Sequence, residues 1–332
     1  MSDSRKAQLA RWIGLTLAID PPELKMVSGD ASFRRYFRFA HQQQSIIAVD
    51  APPAHENNPG FVQIGRLLKD NGIHVPDFFA TDFEQGFLLL SDFGDQLLLP
   101  LLDAKTVDGF YGQAMATLLN IQQVPMTSLK TLPDYSAEKL DVELNLCNQW
   151  FLERHLQLSL SAKEQETLTE VYRQLIQSAA AQPQVLVHRD FHSRNLMVCH
   201  SGKLGVLDFQ DAVVGPISYD LVSLLKDCYI CWPEDKVTGW VRRYHQLATE
   251  RSLITVEFDE FFRQFEWMGM QRHIKVLGIF ARLNYRDQKS GYLKDLPLTF
   301  DYLLSASARY REFDAFHRLL TAKILPSLES LS

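Results

Sequence analysis

The spacing of apolar residues changes character twice along this chain. Leu9, Trp12, Ile13 and Leu17 recur at helical intervals, which predicts an opening amphipathic helix with one buried stripe. From residue 24 to 50 the period shortens. "ELKMVSGDASFRRYFRF" supplies two extended runs about Ser28 to Ser32, and "SIIAVD" supplies a third after the polar turn "HQQQ". Pro59 opens a second helix carrying Phe61, Ile64, Leu67 and Leu68 inward, and Asn71-Gly72 stops it. "FFATD" and "GFLLL" are strands joined by a turn at Glu84 to Gly86. After "SDFGD" the helical period returns over residues 104–122, 136–157 and 161–181. Residues 185–208 interrupt it as a small hairpin turned at Ser201-Gly202, and helices resume from about Tyr219. The pattern predicts an α+β chain with two lobes. Residues 1–93 form an antiparallel sheet with one inserted helix, and residues 94–332 form a larger helical lobe.

Composition narrows the class. A chain of 332 residues is too long for most single cores, which agrees with two lobes. Its 46% hydrophobic and 22% charged residues are those of an ordinary globular protein. The net charge of −6 argues against nucleic acid or an anionic membrane surface as the main partner. Four cysteines make no disulfide framework in a chain of this length, so a reducing, cytoplasmic setting is expected. The lone pair Cys228 and Cys231 reads as two small core residues one helical turn apart. Basic residues precede "WIGLTLAI", but Asp20-Pro21-Pro22 follows it instead of a small-residue cleavage site. No stretch reaches the length of a membrane span.

The chemistry concentrates in "VLVHRDFHSRNLMV", residues 185–198. Two apolar runs flank a polar loop, and a carboxylate held on such a loop is costly unless it is paired or used. The strand "KLGVLDF" ends on Asp208, so a hairpin is expected to bring His188-Arg189-Asp190, Asn195 and Asp208 to one rim. Asn195 and Asp208 offer oxygen to a hard cation. Asp190 is left to orient and deprotonate a hydroxyl. A base, an amide ligand and a carboxylate ligand are what phosphoryl transfer from a nucleotide requires.

"HRDFHSRN" followed by "LDF" resembles the catalytic and metal loops of the protein-kinase superfold, and "GPISYDLVSLL" resembles its aminoglycoside-phosphotransferase branch. The resemblance implies a bilobal kinase fold using ATP and Mg2+, with nucleotide bound by lobe 1–93 and substrate by lobe 94–332. It makes Asp190 the catalytic base, Asn195 and Asp208 the magnesium ligands, and Asp220 a brace for the catalytic loop. His192 falls where protein kinases place a lysine that touches the transferred phosphate. Gly29, Ala31 and Ser32 lie in the turn that covers the phosphates. In "LLLSDFG" the Ser91 carbonyl and the Phe93 amide match the adenine contacts. Only residues 209–219 separate Asp208 from Asp220, which leaves no platform for a protein substrate. One departure is plain: the third strand reads Ile47-Ala48-Val49-Asp50 where the superfold has a lysine. Arg34 and Arg38, on the strand face of Tyr36, can meet the phosphate charge instead, or lie on a solvated edge.

"SGDASFRRYFR", "DAPP" and "WMGMQRHIKVLGIFARLNYRD" narrow the resemblance to the bacterial anomeric kinases of cell-wall recycling, which phosphorylate N-acetylmuramate and N-acetylglucosamine. That family implies a small-molecule amino sugar as partner. Arg282 would meet a sugar carboxylate, Tyr285 would stack on the ring and Asp211 would hold sugar hydroxyls. Arg272, Lys275, Arg282 and Arg286 also recur at helical spacing, as a solvated helix face does. Two further readings stand beside this one, an aminoglycoside or other small-molecule phosphotransferase and a non-catalytic pseudokinase scaffold.

Overall fold

Helix α1 (Ser4–Leu17) starts at Asp3, whose carboxylate accepts from the Lys6 N–H, and buries Leu9 and Ile13 completely. The computed structural model describes residues 3–28 and 33–331. Strands β1 (Lys25–Ser28), β2 (Arg35–His41), β3 (Gln44–Asp50), β4 (Phe78–Asp82) and β5 (Phe87–Ser91) form one antiparallel sheet in the order β1-β2-β3-β5-β4. The β2–β3 turn is tight because Gln42 and Gln43 both take positive φ, the twist a two-residue hairpin needs. Helix α2 (Asn58–Asp70) follows β3 and turns Phe61, Ile64 and Leu68 inward. It approaches closely at Gly65, where a Cβ would lie 2.5 Å from the Phe78 ring and 3.0 Å from the Phe209 ring.

Asp50, the acid at the expected lysine position, is fully buried at the end of β3. It accepts from Arg5 Nε at 2.7 Å and from Arg35 Nε at 3.0 Å, and each guanidinium gives it a second bond at 2.5 Å. The carboxylate therefore ties α1 to β2 and β3. Asp50→Ala leaves two partly exposed arginines facing a cavity, and a loss of about 1–3 kcal/mol is expected. Asp50→Lys should cost more, since it sets a third cation beside them. Urea unfolding of both variants checks this, and unchanged midpoints would remove the tie from the account.

The chain divides into two compact units, Met1–Leu102 with Arg194–Asp211, and Asp103–Ser193 with Ala212–Ser332. A single cut at residue 93 differs from this by residues 94–102 and by a hairpin. Strands β7 (Leu196–Val198) and β8 (Leu204–Val206) pair with each other. Leu98 donates to the Leu196 carbonyl, Val198 to that of Gln96, and Val206 to that of His74. Those backbone bonds bind the hairpin into the first unit.

The second unit contains α3 (Val107–Gln122), α4 (Ala137–Leu146), α5 (Ala162–Ala180), α6 (Ser218–Leu225), α7 (Glu234–Glu250), α8 (Phe258–Tyr285) and α9 (Leu296–Ser307). A π-helical stretch, Cys147–His155, prolongs α4. α8 is the axis of this unit, burying Trp267, Met270, Ile274 and Leu277 as its spacing predicts. At Gly278 its backbone meets that of Leu146 and Cys147, and a Cβ there would lie 2.3 Å from the Leu146 carbonyl carbon. The hairpin expected about Ser201-Gly202 is the β7–β8 pair, but it does not reach back to residue 185, because strand β6 (Gln184–Val187) pairs with β9 (Val213–Pro216). Cys228 is buried but Cys231 is exposed, and neither lies in a helix, which corrects the core-pair reading. No helix among the described residues is long and apolar enough to cross a membrane.

Candidate active site

In the second unit, β6 delivers His188-Arg189-Asp190 to a turn. Arg189 has φ +78°, a left-handed conformation costly for a side-chain-bearing residue and therefore held by its surroundings. Asp220, fully buried in the first turn of α6, does the holding. It accepts from the His188 N–H at 2.6 Å and the Arg189 N–H at 2.9 Å. Burial raises its pKa to about 7 against those two donors. Farther along, Asp227 accepts from the Ser193 N–H and hydroxyl, fastening the other end of the loop.

The Asp190 carboxylate itself is 42% exposed, and Arg272 lies 3.9 Å from it. Burial of its surroundings acts to raise the Asp190 pKa, but Arg272, Lys275, His192 and Arg189 outweigh that and hold it at about 2. The carboxylate is thus ionised at any working pH. His192 donates its backbone N–H to the Asp190 carbonyl, and its ring meets Tyr229 edge-on at 5.5 Å.

Beneath this loop lies a buried network that periodicity alone did not single out. Glu143 on α4 accepts from Arg189 at 2.5 Å, from Lys275 at 3.1 Å and from the Tyr135 hydroxyl. Arg272 donates to the Arg189 carbonyl at 3.0 Å and the Tyr219 hydroxyl at 3.1 Å. Arg272 and Lys275 are both 5% exposed, so the solvated-face reading fails for them. They line the inner side of α8 because each has a carboxylate or phenol to meet. The stripe does open outward at its end, where Arg286 is exposed and paired with Asp287.

Arg282 lies between these extremes. It is half-buried, its Nε makes no hydrogen bond, and burial lowers its pKa, with Arg286 adding to the effect. Tyr285 is also half-buried, its hydroxyl 3.2 Å from His155 Nδ1 and its ring under the Arg154 guanidinium.

In the first unit, the β7–β8 hairpin brings Asn195 and Asp208 together. The Leu207 N–H donates to the Asn195 carbonyl, and Asn195 Nδ2 lies 3.3 Å from Asp208 Oδ2. Asp208 has φ +64°, a second left-handed residue, and Gln210 donates to its other oxygen at 2.8 Å. No cluster of three or more His, Cys, Asp or Glu suited to a metal occurs among the described residues. One carboxylate and one amide oxygen nevertheless fit Mg2+ that completes its shell with water and substrate phosphates, since that ion takes one or two carboxylates and oxygen only. A half-turn of the Asn195 amide presents its oxygen beside Asp208.

The hinge residue Ser91 pairs with Ile46, donates its N–H to the Asp77 carbonyl and accepts the Asp77 N–H on its hydroxyl. The Phe93 ring packs on His74 at 4.5 Å. Arg38 is held by Asp92 and Asp95. Arg34 is buried and paired with Glu56 at 3.1 Å. Asp211 is exposed at the end of the first unit. Gly29, Ala31 and Ser32 lie outside the described residues.

Comparison with known proteins identifies the family and the fold. A profile of the family described as "Phosphotransferase enzyme family" matches residues 23–254. An N-acetylmuramate/N-acetylglucosamine kinase of Pseudomonas putida is 41% identical over 329 residues, 96% of each chain. A protein of the same name from Pseudomonas aeruginosa is 40% identical, covering 96% of this chain and 97% of its own. Among solved structures, an ADP-bound aminoglycoside phosphotransferase shares the fold at a TM-score of 0.60 and 15% identity, over 92% of this chain and 99% of that one. With a two-unit α+β fold, a braced Asp190 loop and a profile match over most of its length, the chain belongs to the phosphotransferase enzyme family.

Proposed function

We propose that this chain is an ATP-dependent kinase that phosphorylates the anomeric hydroxyl of N-acetylmuramate and N-acetylglucosamine. The observation that carries this reading is the near-full-length similarity to relatives bearing that name. ATP as donor puts the reaction in the cytoplasm, with a small amino sugar as its partner and no protein substrate. In this reading Ser91 and Phe93 offer backbone groups to adenine, and Gly29, Ala31 and Ser32 serve the nucleotide phosphates. Asn195 and Asp208 hold Mg2+, which when bound neutralises charge on the transferring phosphate. Asp190, ionised and aimed by Arg272, accepts a hydrogen bond from the sugar hydroxyl and takes its proton as transfer proceeds. His192, on the same turn, faces the transferred group. Arg272, Lys275 and Asp220 hold the loop without touching substrate.

Sugar contacts fall to Asp211, Arg282 and Tyr285. The unpaired, half-buried Arg282 Nε suits a carboxylate, which N-acetylmuramate carries and N-acetylglucosamine lacks. Arg282→Ala should therefore weaken N-acetylmuramate by about 1.5–3 kcal/mol more than N-acetylglucosamine. Equal losses for both sugars would take Arg282 out of the sugar site. The function itself is tested by following ADP release with Mg2+-ATP and each sugar, with phosphorus NMR for a 1-phosphate. Turnover on aminoglycosides but on neither sugar would overturn the assignment.

A further inference from the structure

The third strand carries no cation for the nucleotide phosphates, because Asp50 occupies that position and holds Arg5 and Arg35. Three arginines on or beside β2 are near enough in sequence to serve. Arg35 is committed to Asp50 and Asp3. Arg38 places Nε and Nη2 on Asp92, Nη1 on Asp95, and Nη2 also on the Gly94 carbonyl. Arg34 is different in three respects.

It is 3% exposed and forms an ion pair with Glu56 from a loop. Its guanidinium lies 4.5 Å over the Phe61 ring, and Phe61 stacks on Phe209 at 5.0 Å with the rings 8° apart. Phe209 directly follows Asp208, so a two-ring stack sets the guanidinium against the strand end that bears the metal-ligand candidate. Tyr36, on the same face, responds to both groups. Burial raises its hydroxyl to about 12, Arg34 opposes that, and Asp208 and Glu56 add to it.

Glu56 is itself rigidly presented. His55 and Glu56 both donate backbone N–H groups to the Pro52 carbonyl, and the buried Asn58 amide donates to the Ala51 carbonyl at 2.8 Å. His55 stacks on Phe33 at 4.1 Å, so the same short loop meets both Phe33 and Arg34. A buried guanidinium is costly to desolvate, and its planar fork matches phosphate oxygens.

We propose that Arg34 supplies the phosphate-binding cation that the third strand lacks, and that Glu56 is the positioning residue that aims it. The proposal rests on the reading of the chain as an ATP-dependent kinase, and it adds a nucleotide contact from β2 and a role for the loop from Pro52 to Asn57.

A ladder of ligands tests it without any sugar: adenosine, Mg2+-ADP and Mg2+-ATP, titrated calorimetrically against the full chain. Arg34→Ala should weaken Mg2+-ATP by about 100-fold and leave adenosine within about twofold. Arg34→Lys should fall between, because ammonium keeps the charge and loses the fork. Glu56→Gln should cost Mg2+-ATP about tenfold, with Glu56→Asp recovering part of it. Should Arg34→Ala unfold, the double variant Arg34→Ala with Glu56→Gln removes the unpaired carboxylate and carries the same expectation. Parallel weakening of adenosine would show a merely structural pair, and unchanged ATP affinity would exclude Arg34 from the site. Wild-type chain that binds adenosine but no triphosphate would overturn the kinase reading and this proposal together, whereas normal wild-type binding with indifferent variants would overturn this proposal alone.

Discussion

Asp208→Ala is expected to abolish turnover, by about 10³-fold or more, while the protein stays folded. Asp208 is exposed at the end of the hairpin, so deleting its carboxylate opens no core cavity. What is lost is an anionic oxygen beside Asn195, which on the proposed reading is the charge that holds a hard cation at the nucleotide phosphates. Several kcal/mol of charge stabilisation depend on that cation, and each 1.36 kcal/mol is tenfold in rate. Alanine is also strained at φ +64°, whereas asparagine tolerates it. Asp208→Asn is therefore the cleaner variant. It should retain the fold, lose most activity, and regain part of it as magnesium is raised. Turnover within tenfold of wild type at low magnesium, in either variant, would move the metal site elsewhere.

Asp190→Asn should lower the single-turnover rate by about 10²–10⁴ and leave ATP affinity nearly unchanged. An anomeric hydroxyl is more acidic than an ordinary alcohol and phosphoryl transfer is loose, so early proton removal matters less than aim. Asparagine keeps a hydrogen-bond acceptor for the hydroxyl and alanine does not, so Asp190→Ala should lose more. The pH dependence follows from the folded-state value. With Asp190 held at about 2, below its ordinary 3.8, its base form is present throughout the working range. The stability this shift contributes is present above pH 3.8 and is lost as pH falls through about 2. An acid limb in kcat/KM near neutrality that disappears in Asp190→Asn would contradict this. Near-normal turnover of Asp190→Asn would reduce the residue to a loop brace.

Much of this protein is determined by short-range pattern. Apolar spacing placed α1, α2, the five-stranded sheet and the three helices after the hinge, because side-chain direction repeats over a few residues whatever the distant chain does. The Asp190 loop is legible for a related reason. A short loop must hold Asp190 and Asn195 between two apolar runs, and only function or pairing offsets that cost.

Tertiary structure decided the partners. Val185 to Val187 had to choose between the near strand Leu196–Val198 and the more distant Val213–Pro216, and took the latter. Asp50 reads as a lost lysine until Arg5, 45 residues earlier, reaches it. Arg272 and Lys275 read as a wet stripe, because helical spacing reveals a shared face but not what covers it. Glu143, Tyr135 and Tyr219 cover theirs, and Glu56 reaches Arg34 from a loop with no periodicity at all. Local pattern reports which way a side chain points. Whether a charge ends in water or against an opposite charge depends on chain segments brought together only by folding, and burial then makes that choice consequential.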